Sequence, residues 1–174
     1  MKMDMFQKVV MVLAMAVIPL IANPFSVGSS AIGVTVGSGS VSYTTGSFRG
    51  SYVENYYIFG LSGEYYIFDN LALGLGYRGW FGGTPIIHQG TTPLTYYIPT
   101  NSKFRPYVGG LYRYTYIDDT LYDSYSSVGA RAGLAILFNS GYAGFGWVQE
   151  YRLDSDNLSD ESSGYPEVVI GFTF

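Results

Sequence analysis

From residue 29 onward, apolar positions alternate with small or polar ones. In "AIGVTVG", Ile32, Val34 and Val36 share one face, while Ala31, Gly33, Thr35 and Gly37 share the other. "FGLSGEYYI" sets Phe59, Leu61, Tyr65 and Ile67 against Gly60, Ser62, Glu64 and Tyr66. "LALGLGYRGWF" sets Leu71, Leu73, Leu75, Tyr77 and Phe81 against Ala72, Gly74, Gly76, Arg78 and Trp80. The same beat runs through "PYVGGLYRYTY", "SVGARAGLAILF", "YAGFGWVQEYRL" and "EVVIGFTF". Alternation of this length is the signature of strands. Eight are expected, at about 30–45, 52–67, 71–82, 92–100, 105–116, 126–138, 142–152 and 164–174. The stretch at 92–100 has a weak pattern with a proline near each end, and is assigned because an antiparallel barrel needs a strand there. Short turns are expected at "FDN", "TNSK" and "NSG", and longer polar links near 46–51, 83–91, 117–125 and 153–163. Short and long connections in alternation predict an eight-stranded antiparallel up-and-down transmembrane β-barrel.

The second face of these strands decides between a membrane barrel and a soluble one. A water-facing surface needs many charges. This face instead carries Gly33, Gly60, Gly74, Gly76, Gly109, Gly129, Gly133, Gly144, Gly146 and Gly171. Small residues suit the crowded interior of a narrow barrel. Glu64, Arg78, Arg105, Arg113, Arg131, Glu150, Arg152 and Glu167 fall on it too. An arginine facing lipid at mid-bilayer costs roughly 2–4 kcal/mol, so charge confined to one face marks that face as the lumen. These eight residues are the candidate luminal network, with arginine–glutamate pairs filling the interior as a plug. Tyr56, Tyr57, Tyr65, Tyr77, Tyr112, Tyr114, Tyr116, Tyr151 and Tyr165 lie near strand ends, where an interfacial girdle belongs.

Composition narrows the class further. The 174 residues include 18 Tyr and 23 Gly, yet only 13% are charged, about half the fraction of an ordinary soluble domain. The absence of cysteine excludes disulfides, thiolate metal sites and cysteine nucleophiles. A net charge of −4 without a basic run argues against nucleic acid as a partner. At the start, Lys2 and Lys8 flank Asp4 and precede the apolar "VVMVLAMAVIPLIA". This pattern predicts a helical secretory signal peptide over residues 1–22, ahead of a barrel domain at 23–174. No second apolar run of membrane-helix length follows, so an exported chain of this kind, if it is a membrane protein, must span as a barrel; the expected location is the outer membrane.

"GEYYIFDNLALGLGYRG", "FRPYVGGLYRY" and the closing "VVIGFTF" together resemble the OmpA/OmpX-like small outer-membrane β-barrel superfamily. The resemblance spans nearly all of the chain after the signal segment. It implies an eight-stranded barrel with short periplasmic turns and long extracellular loops. It also implies that Phe172 and Phe174, with Gly171, form the signal read by the barrel-assembly machinery. Val169 departs from that signal, which usually has a polar residue there.

Candidate chemistry is sparse. The lone histidine, His88 in "PIIHQG", falls in a predicted outer loop without serine and acidic partners in register, so no catalytic residue is assigned. "LDSDNLSDESSG" begins like a calcium loop, but Leu158 and Ser159 occupy a ligand and the glycine position. It is read as a solvated acidic loop, so no metal or other cofactor is expected. The expected role is structural or surface-interacting, in a monomer. Its partners would be outer-membrane lipid, lipopolysaccharide and an extracellular ligand met by the loops. A small channel is the first alternative, which steady conductance would reveal. A lipid-modifying enzyme is the second, which would show as altered acylation.

Overall fold

The computed structural model describes residues 24–44, 51–119, 123–153 and 162–174. The signal segment and the acidic run from Asp154 to Asp160 lie outside the described residues. Eight strands follow one another: β1 (Ser30–Thr44), β2 (Ser51–Phe68), β3 (Leu71–Phe81), β4 (Ile86–Tyr97), β5 (Phe104–Asp118), β6 (Tyr125–Phe138), β7 (Gly141–Arg152) and β8 (Ser162–Thr173). Each pairs antiparallel with its neighbour in sequence, and β8 returns to β1 to close the barrel.

The alternation does what the sequence requires. Leu75, Phe145 and Val168 project outward and are 71%, 66% and 62% exposed, while Ala72, Gly74, Ala135 and Val148 face inward and are buried. Inward glycines make room for larger side chains from neighbouring strands. A β-carbon on Gly133 or Gly146 would run into the Tyr107 phenol, and one on Gly171 would come within 2.6 Å of the Tyr142 ring. The β2–β3 turn uses Asn70 at a φ of 66°, a left-handed conformation that asparagine tolerates.

β4 corrects the sequence reading. It begins at Ile86, not near 92, and runs through Gly90 and Pro93 to Tyr97. The β3–β4 connection shrinks to residues 82–85, and the opposite β4–β5 turn takes up 98–103, so connection lengths do not alternate as cleanly as expected. Pro93 is tolerated where the ladder against β3 skips: Leu73 pairs with Leu94, and the next pair is Gly76 with Thr91. His88 therefore lies on a strand, not in a loop.

A segment with no place in the strand count also matters. Residues 24–29 tuck under the end of the barrel that carries β1's start and β8's end. The Asn70 N–H donates to the Phe25 carbonyl at 2.6 Å, the Gly28 N–H to the Tyr66 carbonyl at 2.9 Å, and the Val27 N–H to Asp69 Oδ1 at 2.8 Å. Phe25 is thereby drawn into the lumen and is fully buried.

Candidate functional site: a tiered polar lumen

The lumen fills in tiers. Nearest the terminal end, the Phe25 ring stacks on Tyr97 with centroids 4.4 Å apart, and meets Tyr66 and Tyr142 each at 5.6 Å. Tyr107 packs on the far side of Tyr97 at 5.8 Å. Tyr97, Tyr107 and Tyr142 bury their rings and turn their hydroxyls toward the next tier, as buried tyrosine generally requires; the buried Tyr66 hydroxyl has no such partner among the described residues.

That tier is built from β2, β6 and β8. The Tyr142 and Tyr97 hydroxyls donate to Glu64 Oε2 at 2.7 and 3.1 Å. Arg131 donates to Glu167 Oε2 through Nη2 at 2.8 Å and Nε at 3.1 Å, and to Thr95 Oγ1 through Nη1 at 3.1 Å. Its Nη1 also lies 3.9 Å from Glu64 Oε1. The Tyr107 hydroxyl donates to Glu167 Oε2 at 3.1 Å, and the guanidinium sits 5.1 Å above the Tyr107 ring. Two N–H groups thus converge on one carboxylate oxygen, rather than one on each as in a fork-to-fork pair.

The next tier joins β5, β7 and β8. Arg113 forms an ion pair with Glu150, donates to Thr91 Oγ1 at 2.9 Å, and donates to the Tyr165 hydroxyl at 2.6 Å. Tyr165 in turn donates to Glu150, which also accepts from the Ser127 hydroxyl at 3.1 Å. The Arg113 and Arg131 side chains are each only 5% exposed. Every formal charge in these pairs has several partners, which is what makes burial tolerable. Arg78 lies beside this tier, 5.9 Å from the Tyr165 ring centroid. Toward the open end, Trp80 donates to Gln89 at 3.1 Å and Gln89 to Thr115 at 3.4 Å.

Of the eight residues expected in one network, Glu64, Arg131, Glu167, Arg113 and Glu150 come together in two clusters, with Arg78 at the edge of the second. Arg105 does not join either cluster. Arg105 donates to the Thr100 carbonyl in the β4–β5 turn, and Arg152 lies 4.4 Å over the Tyr125 ring at the opposite end. Both sit on the inward face near strand ends; Arg105 is held by the turn, while Arg152 lines a cavity together with Glu150 and Ser127. Tyr56 and Tyr165, expected in the girdle, point inward: Tyr56 is buried against Trp80, and Tyr165 sits between Arg113 and Glu150. Sequence reasoning placed Tyr66 and Tyr107 on the inward face but gave them no role, and it missed Phe25, Tyr97 and Tyr142. The inward beat of β4 and β7 was the only signal for the last two, and "NPFSVG" carries none for Phe25.

On the outer face, the His88 Nδ1 lies 2.7 Å from the Tyr77 hydroxyl. The Tyr77, Phe81 and Tyr116 rings surround it at 6.1 to 6.2 Å. No set of three His, Cys, Asp or Glu side chains among the described residues is arranged to hold a metal ion.

No protein-family model matches the chain. No curated protein matches it either. Solved structures do. The crystal structure of the N-terminal β-barrel domain of Pseudomonas aeruginosa OprF aligns with a TM-score of 0.61 at 18% identity, covering 85% of this chain and 98% of that one. Neisserial surface protein A aligns with a TM-score of 0.54 at 14% identity, covering 84% and 96%. These are small outer-membrane barrels of eight strands, and the chain shares their fold.

Proposed function

We propose that the chain is an outer-membrane barrel with a structural or surface-interacting role and a lumen closed by its own side chains. The observation that carries this reading is the tiered filling. An aromatic layer under Phe25, the Glu64–Arg131–Glu167 cluster and the Arg113–Glu150 cluster lie one above another across the barrel. Eight-stranded barrels are narrow enough for side chains to fill them. A void of about 80 Å³ beside Arg78, Arg113 and Arg131 holds a few waters and is no wide path. The outward apolar face supports a membrane location, since a soluble barrel would expose it to water at a prohibitive cost.

In this reading the end holding Phe25 faces the periplasm and the loops at the other end face outward. The leader at 1–22 is removed on export. The barrel-assembly machinery reads Phe172 and Phe174, and the finished protein is a monomer surrounded by outer-membrane lipid and lipopolysaccharide. The loops supply the surface for an extracellular ligand. Catalysis is not proposed: His88 bonds a tyrosine hydroxyl rather than a serine oriented by a carboxylate.

Planar-bilayer recording tests the closed lumen against the channel alternative. The refolded protein is expected to give no steady single-channel steps in molar salt. Regular steps that vanish when the protein is omitted would overturn the plug.

A further inference from the structure

The seam that closes the barrel is shut over only part of its length. The register of β1 with β8 ends at Gly33–Gly171, although β1 runs on to Thr44 and β8 begins at Ser162. Continued at the same stagger, the ladder would set Thr35 against Val169 and reach Ser42 against Ser162. Among the described residues none of those pairs is made. On their other sides both strands stay paired, β1 with β2 out to Thr44–Ser51 and β8 with β7 out to Ser162–Tyr151.

β8 is built as an edge at this height. Ser30 and Phe174 exchange backbone bonds across the seam, while the Thr173 N–H donates the other way, to the Ser140 carbonyl. Backbone groups alternate in direction along a strand, so the even-numbered residues of β8 turn theirs to the seam. Pro166 is one of them. Its missing N–H therefore falls on the unpaired side, where a strand tolerates proline. The edge lies at hydrocarbon depth: Val168 adjoins Phe145, Val34 adjoins Leu61, and all four are exposed on the outer face. Open backbone persists at that depth only where protein covers it or where it lines a water-filled cavity. A cavity lies directly behind. The luminal void of about 80 Å³ is lined by Val34 and Thr35 of β1 and by Glu167 and Val169 of β8, the two banks of the seam, and reaches Ser62 and Arg78. Inward Tyr165, Glu167 and Val169 on β8 are only partly buried, whereas inward Gly144, Gly146, Val148 and Glu150 on β7 are buried.

We propose that the β1–β8 seam above Gly33–Gly171 is a lateral portal, a water-lined cleft through the barrel wall that admits small uncharged amphiphiles from the membrane into this void. This rests on the outer-membrane reading above and adds a route that leaves the axial plug intact. The charge of the passenger follows from the lumen. Arg78, Arg113 and Arg131 are balanced there by Glu64, Glu150 and Glu167, so a further net charge would enter without a counter-ion. An apolar tail matches the Val34 and Val168 banks, and an uncharged polar head bonds the open backbone edge.

Two measurements on the full chain in lipid nanodiscs test it. Amide exchange followed by NMR reads the wild type. The Val168 amide is expected to exchange roughly tenfold faster than those of Glu167 and Val169, the effect of one missing backbone hydrogen bond. Equal protection of the three means a finished ladder and overturns the cleft. Thiol labelling reads the route. Ser62→Cys places the chain's only thiol at the void. Cyclohexylmaleimide is expected to label it roughly a hundredfold faster than hydroxyethylmaleimide, in step with its greater partition into hydrocarbon. A sulfonated maleimide is expected to leave it unlabelled. Equal rates for the two uncharged reagents mean entry through the mouth of the barrel and overturn the portal. Labelling by the sulfonated reagent, or by none of the three, overturns it too. A wild type that fails to insert into nanodiscs overturns the membrane reading and this inference together, whereas one that inserts with Val168 protected overturns only this inference.

Discussion

Arg131 holds two strands together through a single guanidinium. It takes Glu167 from β8 directly and stands 3.9 Å from Glu64 of β2, with Thr95 of β4 accepting from the same nitrogen that faces Glu64. Removing it leaves two largely buried carboxylates, 10% and 14% exposed, without their shared cation, and breaking a buried ion pair in this way costs about 3–5 kcal/mol. We expect Arg131→Met to lower unfolding stability in urea, measured in lipid vesicles, by about that amount. Adding Glu64→Gln and Glu167→Gln should recover a large part of the loss, because neutral amides need no counter-charge. A single mutant within about 1 kcal/mol of wild type would mean that the cluster behaves as a wet surface pair. The parity that turns Glu64, Arg131 and Glu167 inward is plain in the sequence, since each sits among glycines on a period-two run. Their meeting is not. It depends on the stagger between strands that are distant in the chain, and it left Arg105 out although it shares the same parity.

At the scale of elements, the sequence was legible wherever large apolar residues kept the beat. β4 failed that test. "IIHQGTTPL" mixes glycine, proline and small polar residues that read as loop, yet neighbours on both sides hold it in the sheet through ladders to β3 and β5. The strap at 24–29 was illegible for a different reason: its one fully buried ring, Phe25, is meaningful only once Tyr66, Tyr97 and Tyr142 from three strands converge on it. That convergence makes a second prediction. Truncating a buried phenylalanine typically costs about 3–5 kcal/mol, so Phe25→Ala should lower stability by an amount in that range and lower the temperature of the heat-modifiable shift on gels. Its bilayer recordings should still show no steady steps, because the two ion-pair tiers above remain in place. Conductance appearing in this variant would locate the closure at Phe25 alone.

For the whole molecule, closure is the step on which everything else depends, and its seam is the shortest ladder. β1 pairs with β2 from Ser30–Tyr65 to Thr44–Ser51, but its register with β8 runs only from Ala31–Thr173 to Gly33–Gly171. Just beyond, Ser30 and Phe174 exchange two backbone hydrogen bonds, at 3.1 and 3.0 Å. An open sheet edge has no partner in a bilayer, so each bond in this short seam counts for more than one in a long ladder. Phe174 thus has two separable parts: a ring that is half exposed on the outer face and a backbone that latches β8 to β1. Phe174→Ala keeps the latch and removes the ring. Deleting Phe174 removes both. If the ring serves recognition during assembly, both changes should reduce the amount of folded barrel in the outer membrane to a similar degree. Only the deletion should also destabilise protein refolded in vesicles, by about 1–3 kcal/mol for two lost backbone bonds. Equal stability of the two variants in urea titrations would show that the latch contributes nothing, and normal membrane levels of Phe174→Ala would remove the ring from the assembly signal.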